Sequence, residues 1–167
     1  MERPGFDSTE TYGHPVDLAE RVAEDMGWRH SRHCDDELLI RFEGAWRQYT
    51  ILFNWHQTME LFTVGVGFDM KLRGRDTKAL LEVINLAGQR CPMGAFVLHA
   101  DSDAIVFHCG QSLAGGSQLS AGQIRHMVEV SISQCENYYP ALQIAASEGA
   151  QAEAAIEAAI LEPVGSC

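Results

Sequence analysis

Three features of the sequence predict an α+β fold, an antiparallel sheet with helices packed on one face. Hydrophobic periodicity alternates between helical and period-two spacing in the order helix, β-meander, helix, β-hairpin, long helix. The gaps between the period-two stretches are a few residues long, too short for the crossover that a parallel pair needs. At 167 residues the chain can enclose one genuine core and is too short for two ordinary domains.

Residues 1–13 are polar, with scattered Pro, Gly, Ser and Thr, and read as a flexible arm. The domain proper is expected over residues 14–148. Its first helix lies in "HPVDLAERVAEDMG", where Pro15 suits a first turn. Leu18, Ala19, Val22, Ala23 and Met26 recur at helical spacing, and Gly27 is placed to stop the helix. Four strands come next, at Trp28–Cys34, Glu37–Glu43, Trp46–His56 and Glu60–Met70. Leu38, Ile40 and Phe42 alternate with Leu39, Arg41 and Glu43 in the second. Tyr49, Ile51, Phe53 and Trp55 share a face of the third, and Phe62, Val64, Val66 and Phe68 a face of the fourth.

A second helix is expected over Thr77–Ala87, with Leu80, Leu81, Ile84 and Ala87 as its stripe and Gly88 as its end. Ala95–Ala100 and Ala104–Cys109 read as two short strands around the turn-like Asp101–Asp103. After a Gly/Ser loop, Ser120 and Gln123 have the spacing of a capping box. The long helix beyond it carries Ile124, Met127, Val128, Ser131, Ile132, Cys135 and Leu142 near one stripe. Pro140, without an amide donor, predicts a kink or restart in it. Gly149 precedes a short Ala-rich helix, so residues 149–167 read as a C-terminal helix and tail.

Charge narrows the function. The chain carries 23 acidic against 12 basic residues, a formal net charge of −11. That field repels phosphate backbones, so nucleic acid is not an expected partner. No Lys or Arg comes after Arg125, while acidic residues continue to Glu162, a surface suited to solvent or to a basic partner segment. No apolar run approaches the roughly 18 residues of a membrane span, and the first residues lack an apolar leader. Five cysteines without a C-x-x-C pair fit a reduced, cytoplasmic protein.

The stretch "HSRHCDD", His30–Asp36, gathers four kinds of potential metal ligand. In a strand, His30 and His33 point to opposite faces and cannot chelate one ion, so a strand end and turn without metal is the expectation. No nucleophile elbow, Walker loop, zinc-protease motif or dinucleotide fingerprint occurs. Neither a catalytic residue nor a cofactor is assigned. The glycines of "GVGFDM", at Gly65 and Gly67, lie inside an alternating run and should let another element approach the strand. Leu39 and Trp46 stand out of phase with the apolar faces of their strands and are candidates for a second, contact-making face.

"DDELLIRFEGAW", "YTILFNW", "LLEVINLAGQRCPMGAFVLH", "QCENYYPALQ" and "AIEAAILEPVG" together resemble the YbjN-domain family of proteobacteria, over residues 14–165. Cys135-Glu136, Tyr139-Pro140-Ala141 and Gln143 are the most specific positions. The resemblance implies a bacterial sensory transduction regulator with a fold similar to type III secretion chaperones, small acidic dimers that hold extended segments of other proteins. The chain departs from that pattern at Pro92-Met93-Gly94, where some relatives carry an aromatic-Gly pair, and in its four strands before the second helix. The function expected from the resemblance is that of a non-enzymatic, chaperone-like adaptor and homodimer that binds a protein or peptide. Phe96 and Leu98 join Leu39 and Trp46 as partner or dimer surface. The alternatives are a small hydrolase or transferase with a cleft of His56, His99, His108 and Cys109, and a purely structural dimer.

Overall fold

The computed structural model describes residues 13–70, 77–99, 101–102 and 104–147. Residues 1–12 of the expected arm and the expected C-terminal helix and tail at 149–167 lie outside the described residues. Among the described residues, six strands and three α-helices run in the order α1 (Pro15–Asp25), β1 (Arg29–Cys34), β2 (Glu37–Glu43), β3 (Gln48–His56), β4 (Leu61–Asp69), α2 (Lys78–Arg90), β5 (Ala95–His99), β6 (Ala104–Ser112) and α3 (Ala121–Ser147).

Helix α1 begins where the sequence places it. His14 caps it, its Nδ1 accepting from the Val16 N–H at 3.3 Å, and Gly27 at φ +67° releases the chain. Val16, Leu18, Ala19, Val22 and Ala23 are buried, but Met26 is exposed, because the helix has ended before it can turn inward. In the capping box of α3, the Gln123 N–H donates to Ser120 Oγ at 3.2 Å and the Ser120 N–H to Gln123 Oε1 at 2.8 Å.

Helix α2 runs past Gly88 to Arg90. Among the described glycines only Gly27, Gly115 and Gly116 have positive φ, so the backbone at Gly88 never makes the left-handed turn that would stop a helix. Pro92 does the stopping, by disfavouring helical geometry at Cys91. The buried face is Ala79, Leu80, Val83 and Ala87, which leaves Leu81, expected inside, 50% exposed. Of the kink or restart expected at Pro140, the restart does not occur: helix α3 is one helix from Ala121 to Ser147. Cys135, Tyr138, Ala141, Leu142 and Ala145 are all buried across the proline, and this packing holds the helix where the missing amide would loosen it.

The strands form one antiparallel sheet in the order β1-β2-β3-β4-β6-β5. The first four make the expected meander. The hairpin then folds back so that β6 pairs β4 from Leu61↔Ser112 to Asp69↔Ala104, and β5 becomes an edge. Leu38, Ile40, Tyr49, Ile51, Phe53, Phe62, Val64, Val66, Ile105 and Phe107 are fully buried on the face that meets α1, α2 and α3. Apart from Gly65, which lies under the His108 ring and Val106, their described alternate neighbours are half-buried or exposed, so the described helices cover one face only. Among the described residues no helix is long and apolar enough to cross a membrane.

Candidate functional site

The "HSRHCDD" cluster is organised by its arginine. Arg32 reaches back to α1, donating to Glu20 Oε2 at 2.9 Å and to Asp17 Oδ1 at 3.0 Å, and also to the Cys34 and Asp35 carbonyls. His14 Nε2 donates to Asp36 Oδ1 at 3.1 Å, the tautomer its capping role requires. His30 lies 4.0 Å from Glu20, while His33 and Cys34 are exposed. The nearby carboxylates are thus engaged in docking β1 onto α1. Among the described residues no group of three or more His, Cys, Asp or Glu is gathered to hold a metal.

The four residues of a possible hydrolytic cleft are not brought together. His108 and Cys109 point to opposite faces of β6. Cys109 is buried, its Sγ 3.4 Å from Ser131 Oγ, and burial pushes its thiol up, against the activation a nucleophile needs. Cys135 is buried more deeply and shifted the same way. His56 bonds Thr63 Oγ1 at 3.3 Å and pairs with Leu61, four residues along β4 from Gly65, which pairs with His108. His99 and His108 alone are neighbours, their rings 5.9 Å apart on the uncovered face. Partial burial, and then the nearby His99, hold His108 below the ordinary histidine value.

That uncovered face is the candidate site. Register places Leu39, Leu52, Gly65, His108 and Ala95 in one row across the sheet, and Arg41, Thr50, Gly67, Val106 and Val97 in the next. Leu39, Leu52, Val106 and Val97 form its apolar part, and Val97 is 41% exposed. A Cβ at Gly65 would touch the His108 ring and Val106 at 3.4 Å. The glycines therefore admit side chains of the neighbouring strand, not a separate element, and keep the centre of the face shallow. Leu39 lies there as expected. Leu52 and Val106 could have been found from the same alternation, because each follows a core residue of its strand.

Trp46 does not lie on this face. It belongs to the turn before β3, whose strand starts only at Gln48, and its phase is not set by the pleat. The indole is 58% exposed and stacks on Tyr139 of α3, with ring centroids 6.5 Å apart at 29°. The Ala45 N–H donates to Glu136 Oε1 at 3.0 Å, and a Cβ at Gly44 would collide with that carboxylate and with Tyr49. The Tyr49 hydroxyl is buried without a hydrogen bond among the described residues, and burial and the Glu136 charge push its pKa up. Phe96 is also corrected as a surface residue: it is 4% exposed and packs on Phe107 and Tyr138 in the core. Leu98 is half-buried against the same core.

The crystal structure of "YbjN, a putative transcription regulator from E. coli" is similar to this one with a TM-score of 0.56 at 11% sequence identity, covering 78% of this chain and 90% of that chain. At that identity the likeness is one of fold. None of the curated proteins compared matches the chain. The model of the YbjN family, described as "Putative bacterial sensory transduction regulator", matches residues 15–143, from the start of α1 well into α3, and the chain belongs to that family.

Proposed function

We propose that this protein is a non-enzymatic, chaperone-like adaptor of a regulatory system, acting in the cytoplasm as a homodimer that holds an extended segment of a partner protein. The observation that carries this reading is the uncovered sheet face with its apolar band of Leu39, Leu52, Val106 and Val97. A shallow apolar strip on a sheet suits an extended chain, whose alternate side chains can lie on it. The free, mostly buried thiols of the four described cysteines support a reducing compartment. The acidic charge favours a basic client over nucleic acid.

The test uses Leu52→Asp and Val106→Asp, each placing a charge on the uncovered face. Both variants should keep the parental circular dichroism, because neither side chain lies in the helix-covered core. Proteins captured from the native organism by the parent should be lost by both. A captured protein retained by both variants would place its site elsewhere, and no specific capture at all would favour the purely structural dimer.

A further inference from the structure

At one end of the layer between sheet and helices lies a cavity of about 290 Å³, walled by Pro15 and Leu18 of α1, Trp55 of β3, Leu113 and Leu119 of the β6–α3 loop, and Glu60. It is on the helix side, because Trp55 continues Tyr49, Ile51 and Phe53 along the inward phase of β3. Its volume stands at the floor of the range for small-molecule sites, about 300–1,000 Å³, and suits one long side chain. Among the described residues of the lining, Glu60 supplies the only charge. Its backbone is the one non-glycine with positive φ among the described residues, at φ 48°, and is fixed there by the Leu113 N–H, which donates to the Glu60 carbonyl at 2.7 Å. A residue held in that conformation at a cavity mouth is where backbone strain accompanies binding. The Glu60 carboxylate has no hydrogen bond or ion pair among the described residues.

We propose that this cavity receives the cationic side chain of an arginine or lysine on an extended segment of another protein. The aliphatic stem lies along Leu18, Leu113 and Leu119, and the charge sits between the Trp55 ring and the Glu60 carboxylate. The formal charge of −11 draws such a segment in and discriminates against acidic ones. This site is separate from the uncovered sheet face and does not depend on it.

Three peptides, acetyl-Gly-Ala-Xaa-Ala-Gly-amide with Xaa arginine, norleucine or glutamate, are titrated into the full chain. The Trp55 indole resonance, assigned with Trp55→Phe, is monitored. The arginine peptide should saturate below about 1 mM, shift that resonance and bind about fivefold more tightly than the norleucine peptide. Glu60→Gln should remove that preference while thermal unfolding stays parental, since the side chain is exposed. Leu52→Asp should leave arginine binding intact, which separates this site from the sheet face. Equal affinities for arginine and norleucine, tighter binding of the glutamate peptide, indifference to Glu60→Gln, or no saturation by any peptide would each overturn the proposal.

Discussion

Tyr139 shows how much one side chain of the family pattern does structurally. Its ring meets Phe68 edge-on at 5.6 Å, stacks under Trp46, and lies 5.7 Å from the Arg47 guanidinium. It thereby joins β4, the β2–β3 turn and α3. Tyr139→Ala should cost about 2–3 kcal/mol in denaturant unfolding. Tyr139→Phe keeps the ring and should stay within about 0.5 kcal/mol of the parent. A Tyr139→Ala variant that melts like the parent yet loses partner binding would make the residue part of a binding surface instead. His108 carries the clearest pH dependence. Its folded pKa lies below the ordinary 6.5, so as the pH falls through 6.5 the unfolded chain takes the proton first. Its contribution is full above that value and declines towards the folded pKa. The slope is shallow, because the residue is only partly buried and solvent screens it. The melting temperature of His108→Gln should therefore fall less than the parent's between about pH 7 and 5, and identical slopes would refute the assignment.

Among the elements, those governed by local rules are legible in the sequence. The start and stop of α1, the capping box of α3 and the alternation of β2, β3 and β4 each depend on residues within a turn or a strand of one another. Breaks inferred from one residue type fail. Gly88 stays helical, and Pro140 sits inside a helix of 27 residues, because tertiary packing overrides propensity. Trp46 escapes the strand pattern for a related reason: its turn is set by the contact between Ala45 and Glu136, 91 residues apart, which no local pattern contains. Pro140 removes the amide that would bond the Glu136 carbonyl one turn back, on the residue whose carboxylate anchors that turn. Since packing already holds the helix together there, Pro140→Ala should restore the missing bond and stabilise the fold by about 1–2 kcal/mol. A loss of stability, measured by the same denaturant melts, would mean that the proline shapes the helix to seat Glu136 against the turn.

For the whole molecule, the position of β6 between β4 and β5 is not readable from the sequence, since it depends on pairing across α2. Its consequence is that the sheet ends in two unlike edges. On β1 the register shifts between Arg32 and Cys34, and Arg29, His30, Arg32 and His33 line the strand, devices that discourage pairing. On β5, Ala95–His99 carries no Lys, Arg, Asp or Glu and, among the described residues, is paired on one side only. Helix α2, which packs on β5, leaves Leu81 half exposed. An apolar edge beside an apolar helical residue is the arrangement that a second copy can cover, strand against strand about a two-fold axis. Light scattering during size exclusion at micromolar concentration should therefore give twice the chain mass of 18.4 kDa. Amide exchange should find the outward N–H groups of β5 as protected as those of β4, because in a dimer they donate to the partner copy. Mass alone could arise from any contact, so the exchange experiment locates the interface. A particle of 18.4 kDa at every concentration, with fast exchange along β5, would remove the dimer. The uncovered face would remain, because its apolar band runs from Leu39 to Val97 within one chain.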